Sequence, residues 1–411
     1  MKIAMVSEHA SPLARLGGPD AGGQNVHVAE LAAALASAGH EVVVHTRRDD
    51  PGQPHQVPLR PGVHVQHDPA GPPRPLARDE LYPHMREFAE NLHRSWLADP
   101  PDVVHAHFWM SGLAALHATQ DLPIPLAQTF HALGAVKRRH QGSEDTSPPA
   151  RIHTEQLIAN QADTVIATCS DEVFELARQG VPQQRMSIVP CGVDTDALHP
   201  ASTDASQRRG HRLVVLGRLV LRKGVDDVIR ALPALPDTEL VIAGGPPAVD
   251  LHTDPDATRL HALAAQLGVA DQVRLVGGVH RPDITPLLTD ADAVVCVPWY
   301  EPFGMVALEA MSCAVPVVAA AVGGLRDTVL HSTTGLHVPP RDPAALSAAL
   351  TGLLADPARR HAMGAAGRHR AVTRYSWAKV AADTARIYQR LRRTAHPHTR
   401  TDLLRAVGGA R

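Results

Sequence analysis

The chain has 411 residues, with 40 Lys and Arg against 42 Asp and Glu, enough for two or three domains and without the basic excess that phosphate-backbone binding leaves, so nucleic acid is excluded as the expected partner. Its 4 cysteines stand singly, with neither CxxC spacing nor the density of a disulfide scaffold, which fits a reducing cytoplasm. MKIAMVSEHA is too weakly apolar for a secretion signal and no run approaches the ~18 apolar residues of a membrane span, so a cytoplasmic protein without a transmembrane segment is expected.

The opening strand KIAMVS leads through GGPDAGGQNVHVAEL, residues 17–31, into a helix predicted over 26–38. Gly22 and Gly23 permit a ligand to approach the backbone where a helix begins. The loop is neither GxGxxG nor a Walker sequence, so nicotinamide and ATP-hydrolysis readings are weak. EVVVHT follows, then DVVHAH with a helix over 111–119, LAQTFH, TVIAT with a helix over 171–179, and SIVP. β-Branched runs alternating with alanine- and leucine-rich segments read as βα units around a parallel sheet. His131 ends LAQTFH, and open parallel sheets bind ligands beyond the carboxyl ends of their strands. A lone histidine is more often a structural hydrogen-bonder, so position is what recommends this one. HAH at 105–107 lacks an accompanying HExxH or CxxC, and no metal is expected.

Residues 191–212 are rich in Ser, Thr, Asp and Gly and lack an apolar period, marking a domain boundary near 200. The expected division is 1–195, a linker over 196–208, and 209–375. A second series then runs RLVVLG with a helix over 224–235, ELVIAG with 257–267, QVRLVG, DAVVCV with 304–313, and PVVAA. The fold class is therefore α/β, with two Rossmann-like parallel-sheet domains facing a cleft. A helix over 375–393 carries apolar residues on one face and is expected to dock on a domain surface; residues from about 395 show weak periodicity and read as disordered.

Two motifs of the second series carry chemistry. In GRLVLRKG, Arg218 and Lys223 follow the strand end at Gly217, placing two cations where a departing diphosphate would need them. In EPFGMVALEA, Pro302 biases Glu301 toward extended backbone, so the helix begins near Phe303 or Gly304. The amides of Phe303, Gly304, Met305 and Val306 then form an anion site, with Glu309 placed to accept from a ribose diol and Glu301 from a sugar. The plainer alternative is a helix-start glutamate favoured by the dipole and an acidic residue on a solvated face.

Together GGPDAGGQNVHVAEL, PCGVDTDALHP, GRLVLRKG and the Glu301–Glu309 pair resemble the retaining family-4 glycosyltransferases of GT-B fold, over residues 1 to about 390. HFWMSG and HALGAVK are similar to the branch containing sucrose synthases, sucrose-phosphate synthases and the D-inositol-3-phosphate N-acetylglucosaminyltransferase of mycothiol synthesis. The resemblance implies a nucleotide-diphosphate sugar held mainly by the C-terminal domain. Arg218 and Lys223 would contact the diphosphate, Glu309 the ribose, Glu301 and the Phe303-Gly304 backbone the donor sugar. Gly23 would approach the diphosphate and His131 the sugar's 6-hydroxyl. It further implies a C-terminal helix, 376–394, returning to the N-terminal domain, no metal or other cofactor, and retention by front-face displacement.

A front-face mechanism needs no carboxylate nucleophile, which argues against a glycosidase reading of Glu301 and Glu309. For the acceptor, Arg78, Lys137 and Arg151 stand where basic residues would serve. Phe108 and Ala132 replace the family's hydroxyl-bearing tyrosine and threonine, so a polyol, sugar or small metabolite other than inositol phosphate is expected. The alternatives are a nucleotide-sugar epimerase or phosphorolytic enzyme on the same fold, and a silent nucleotide-sugar binder.

Overall fold

The computed structural model describes residues 1–14, 22–201 and 210–394. The expected linker lies partly outside the described residues, as do residues 17–21 of the glycine loop and the segment from 395. Contacts divide the chain into two compact units, Met1–Pro190 with the helix from Trp377, and Cys191–Ser376. Residues 191–198 go with the second unit because Val193 bridges Ser376 and Leu198 is buried in that unit's core.

The first unit contains β1 (Lys2–Val6), α1 (Gly23–Ser37), β2 (Glu41–Arg47), β3 (Gln56–Arg60), β4 (Val63–Asp68), α2 (Met85–Ala98), β5 (Val103–His107), α3 (Trp109–Ala118), β6 (Leu126–Thr129), α4 (Gly134–Gln141), α5 (Arg151–Gln161), β7 (Thr164–Ala167), α6 (Ser170–Arg178) and β8 (Met186–Ile188). Its 8-stranded sheet has the order β3-β4-β2-β1-β5-β6-β7-β8, parallel except for β3, which pairs antiparallel with β4. Chain order reverses between β1 and β5, so the crevice at their carboxyl ends is the ligand-binding position of a doubly wound sheet.

The second unit contains β9 (His211–Leu216), α7 (Val225–Ala231), β10 (Thr238–Ala243), α8 (Pro255–Gln266), β11 (Val273–Gly277), α9 (Arg281–Thr289), β12 (Ala293–Cys296), α10 (Met305–Ser312), β13 (Val317–Ala320), the helical turn α11 (Leu325–Thr328), β14 (Gly335–Val338), α12 (Pro343–Leu354) and α13 (Pro357–Arg370). The 6-stranded sheet runs β11-β10-β9-β12-β13-β14. Its strands are parallel throughout, and β10, β12 and β13, buried on both faces, read as continuous Val, Leu and Ala runs. The switch point here falls between β9 and β12.

Helix α14 (Trp377–Thr394) belongs to the first unit. Its apolar face, including Val380, Ala381, Tyr388 and Leu391, is buried with Val28, Leu31 and Leu35 of α1. Tyr388 also bonds inward: its hydroxyl lies 2.6 Å from His105 Nδ1. On the other side His105 Nε2 is 2.9 Å from the Thr129 hydroxyl, which donates to the Ile166 carbonyl at 2.9 Å. That carbonyl can only accept, so Thr129 accepts from His105 Nε2–H, and Nδ1 accepts from Tyr388. Replacing Tyr388→Phe keeps the ring and strands the Nδ1 acceptor, and urea titration should show a loss of about 1–3 kcal/mol; an unchanged midpoint would remove α14 from the account of this unit's stability.

Candidate active site

The candidate site of the second unit is built at the carboxyl ends of β9 and β12. Beyond β9, Gly217 has φ 145, and a Cβ on Gly244 beyond β10 would lie 1.9 Å from the Gly217 carbonyl oxygen. These neighbouring strand ends therefore close against each other only as glycines. Arg218 follows, exposed, with no carboxylate paired to it among the described residues. A turn of 3-10 helix, Leu221–Lys223, ends at Gly224 with φ 71. A Cβ there would sit 2.0 Å from the Val297 carbonyl oxygen, so glycine lets the cationic turn lie against the end of β12.

The turn meets Glu301 directly: Lys223 Nζ forms an ion pair and hydrogen bond with Glu301 Oε2. Burial pushes the Glu301 carboxyl up, but Lys223, Arg222 and the Gly304 amide outweigh it and hold it below its ordinary range. Arg222, which sequence reading passed over in favour of its neighbour, is the third cation here. Burial first and Arg218 second lower its pKa, and Glu301 opposes them. The signal was available in the adjacent Arg-Lys of the motif.

Gly304 takes the left-handed conformation, φ 74, as N-cap of α10. The helix thus starts at Met305, and the Gly304 amide is engaged by Glu301. The first-turn amides are those of Met305, Val306 and Ala307, which have no helical acceptor. Of the expected amides at 303–306, Met305 and Val306 stand in the first turn, joined by Ala307, while Gly304 forms the cap and Phe303 lies before it. Phe303 accepts at its carbonyl from Thr328, 3.4 Å away. Behind the turn, Gly324 donates its amide to the Glu301 carbonyl at 2.8 Å. A Cβ at Gly323, φ 46, would fall 2.2 Å from that same oxygen. The Gly-Gly pair after β13 is thus what seats Glu301, a role no motif had signalled.

Glu309 differs from Glu301 in every respect except its charge type. It lies in the second turn of α10, half-buried, and no described group hydrogen-bonds its carboxylate. Burial pushes its pKa up to about 7, with Arg281 only partly opposing. The two carboxylates are therefore split by environment, one held ionised and one poised near neutrality.

In the first unit, α1 begins at Gly23 with Gly22 as N-cap, whose amide donates to Asn25 Oδ1 at 3.0 Å. Gly22 has ordinary extended backbone, φ -154, and no described atom lies within 4 Å of where a Cβ would be, so the described residues do not demand glycine there. His131 and Phe108, just beyond β6 and β5, both have positive φ, 62 and 82, a conformation that costs a non-glycine residue of order 1–3 kcal/mol. His131 is buried at 4% exposure, its Nε2 3.0 Å from His107 Nδ1. Its pKa is pushed well below the ordinary histidine range by burial and then by His27, His105 and His9.

Two of the three basic residues expected at the acceptor, Arg78 and Arg151, lie over Phe108. The guanidiniums of Arg78 and Arg151 lie 5.9 and 5.1 Å from its ring centroid, and His9 meets the ring edge-on at 4.8 Å. His9 is in turn oriented by the buried Glu8, 2.7 Å away. Arg151 is largely committed: Nε bonds Glu155 at 2.7 Å, Nη1 the Ser147 hydroxyl at 3.1 Å, and Nη2 the Ala132 carbonyl at 2.6 Å. Glu155 also accepts from the Gly134 amide at 2.8 Å, so this pair anchors α4. Lys137 pairs with Asp145 at 2.9 Å and donates to Ser147 at 2.9 Å. Burial raises the Asp145 pKa, but Lys137 and Ser147 outweigh it and bring it to about 2. Among the described residues no group of His, Cys, Asp or Glu is arranged to hold a metal ion, and no helix is long and apolar enough to cross a membrane.

Comparison with known proteins agrees with this architecture. Residues 21–197 match the model of Glycosyltransferase Family 4, and residues 205–370 that of Glycosyl transferases group 1. The D-inositol 3-phosphate glycosyltransferase of Xylanimonas cellulosilytica is 38% identical over 410 residues, covering 94% of this chain and 96% of that protein. The one from Thermobispora bispora is 36% identical, covering 94% of each. Among solved structures, sucrose-phosphate synthase from Thermosynechococcus elongatus superposes with a TM-score of 0.85 at 32% identity, covering 95% of this chain and 98% of that one. Anabaena HepE, solved with UDP-glucose, shares the fold with a TM-score of 0.72 at 20% identity, covering 95% of this chain and 100% of that one.

The raised Glu309 pKa has a thermodynamic consequence. Between the ordinary value of 4.5 and about 7 the folded chain keeps a proton that the unfolded chain has released, so stability falls as pH rises through that window, by on the order of 3 kcal/mol. Glu309→Gln should remove that fall, seen as a flatter pH profile of chemical denaturation of the second unit. An identical profile in both proteins would contradict the assigned environment.

Proposed function

The chain belongs to the family-4 glycosyltransferases of GT-B fold, and on that premise we propose that it moves a sugar from a nucleotide-diphosphate sugar to a small hydroxylated acceptor with retention of anomeric configuration. The observation that carries the reading is the cluster of Arg218, Arg222 and Lys223 around Glu301 at the second sheet's switch point, beside the α10 N-terminus. Cations placed before the ligand arrives stabilise charge as it develops on a leaving diphosphate. In this reading Lys223 exchanges Glu301 for a phosphate oxygen, and the Met305 and Val306 amides contact the same anion. Glu309 accepts from the ribose diol, Glu301 from the donor sugar. Gly22 and Gly23 leave room for the diphosphate, and His131 meets the sugar. The acceptor hydroxyl attacks from the face the nucleotide leaves, its proton passes to the departing phosphate oxygen, and the C–O bond to the acceptor replaces the C–O bond to phosphate. The three cations do the work for which other transferases use a metal, so we assign no cofactor. The four cysteines, none of them in a disulfide among the described residues, support a cytoplasmic setting.

For the acceptor we favour a neutral polyol or sugar. Lys137 and Arg151 are matched by Asp145 and Glu155, and the phenyl ring of Phe108 offers a stacking surface rather than a phosphate donor. Arg78, over that ring, is the basic residue most available to a hydroxyl.

Incubation with a panel of UDP-, GDP- and ADP-sugars, with and without pooled polyols, sugars and their phosphates, should give acceptor-dependent release of nucleoside diphosphate. Arg218→Ala/Lys223→Ala should reduce it at least about 100-fold. Neither nucleotide binding nor release with any donor would overturn the proposal, as would conversion of the sugar while it remains attached to nucleotide.

Glu309 supplies an independent check. An ionised carboxylate accepts diol hydroxyls better than a protonated one, so donor affinity should rise as pH passes upward through about 7. Calorimetry with the nucleotide sugar should record proton release on binding. Affinity independent of pH would place the ribose elsewhere.

A further inference from the structure

We infer that Arg47 is a positioning residue for the acceptor: its buried guanidinium latches the proline-rich segment 70–75 and so sets the direction from which Arg78 is delivered onto the Phe108 ring. The inference rests on the reading of Arg78 and Phe108 as the acceptor surface, and every contact it uses lies within the first unit.

The segment AGPPRP, residues 70–75, lies between β4 and the 3-10 turn Arg78–His84, whose first residue is Arg78. Proline has no amide hydrogen to donate, so Pro72, Pro73 and Pro75 keep this stretch out of any sheet ladder. Gly71 spends its amide on Glu87 Oε2 at 2.8 Å, and Arg74 spends its own on the nearby Pro72 carbonyl at 2.8 Å. What the stretch can offer a neighbour is carbonyls.

Arg47 takes them. It ends β2, is 5% exposed, and has no carboxylate paired to it among the described residues. Its Nη1 donates to the Ala70 carbonyl at 3.3 Å and to the Pro72 carbonyl at 2.8 Å, and Nη2 donates to the Arg74 carbonyl at 2.5 Å. A buried guanidinium stays charged, and its rigid fork must find acceptors. Among the described residues, these bonds are the ones that tie the backbone of 72–76 to the rest of the unit.

Arg78 depends on that tie because its own side chain is loosely held. Its Nε is buried without a hydrogen-bond partner, 3.8 Å from Asp79 Oδ1, and its guanidinium stands 5.9 Å from the Phe108 centroid. A cation over a ring is attracted without being aimed at one atom, so the backbone decides where this cation stands. Leu81 is buried further along the turn, and Asp79 accepts from the Thr146 hydroxyl at 2.7 Å. Arg47 fixes the entry. An acceptor hydroxyl that meets Arg78 is therefore governed by an arginine that it does not touch.

Amide hydrogen exchange of the full chain tests the latch without any substrate. Arg47→Met should speed exchange in peptides covering 74–80 about tenfold and leave the strands of the first unit unchanged. In the transfer assay, the concentration of pooled polyols and sugars giving half-maximal release should rise about tenfold, while calorimetry shows unchanged affinity for each nucleotide sugar. Arg47→Lys keeps the charge but has no fork to span the carbonyls; it should restore part of both readouts, and it carries the test if Arg47→Met does not fold. Adding Arg78→Ala to Arg47→Met should cost little beyond either change alone, because both remove one contact. Unchanged exchange over 74–80 in the folded variants overturns the inference, as do multiplying effects of the Arg47 and Arg78 changes or an equal loss of nucleotide-sugar affinity. Faster exchange together with no transfer from any donor, even by the unaltered chain, would instead sink the functional reading and the acceptor role with it, leaving only the latch.

Discussion

The ion pair between Lys223 and Glu301 is the contact on which the candidate site of the second unit depends. Either group buried alone would tend to lose its charge; together they keep it. The pair also joins the turn after β9 to the turn after β12, strands that are neighbours in the sheet although far apart in the chain. Arg222 and Arg218 are held close to it by the same turn, at the cost of mutual repulsion. Such an arrangement makes sense when a polyanion completes it, since the repulsion among the cations is relieved only by added negative charge.

Around that pair the backbone is fitted with glycine at points where a Cβ cannot stand. Gly224 lets the cationic turn approach Val297, and Gly323 lets the loop after β13 support Glu301. Burial pushes both carboxylates up, but Lys223, Arg222 and the Gly304 amide reverse it at Glu301 while Glu309 stays raised, the pattern expected where two like groups have different tasks. The first unit solves the opposite problem. Its strand ends gather histidines that burial keeps neutral, and it cancels the charges of Lys137 and Arg151 with Asp145 and Glu155.

Much of this was legible in the sequence. Strands buried on both faces leave continuous apolar runs, and the motif residues Arg218, Lys223, Glu301 and Glu309 could be placed at strand ends or helix starts from those runs alone. The hairpin of β3 and β4 was not legible. VHVQHD alternates poorly because its polar residues are buried and bonded: Asp68 to His45 at 2.9 Å and to Gln66 within the same strand at 2.8 Å, His67 to the Pro54 carbonyl at 2.7 Å. Helix α5 was missed for a related reason, since Arg151 and Glu155 occupy core positions that a polarity pattern assigns to solvent. Their i,i+4 spacing was the available sign that the arginine had an internal partner. The support of Glu301 by Gly323 and Gly324 required three-dimensional proximity and had no sequence signature beyond the paired glycines.

In the proposed donor complex a nucleotide diphosphate takes the place of Glu301 on Lys223 while Glu309 receives the ribose. A crystal structure with the nucleotide sugar that supports turnover tests it most directly. That complex requires Lys223 Nζ within hydrogen-bond distance of a diphosphate oxygen and the Glu309 carboxylate on the ribose hydroxyls. A nucleotide bound elsewhere, with Lys223 still on Glu301 and Glu309 without a ligand, would contradict it.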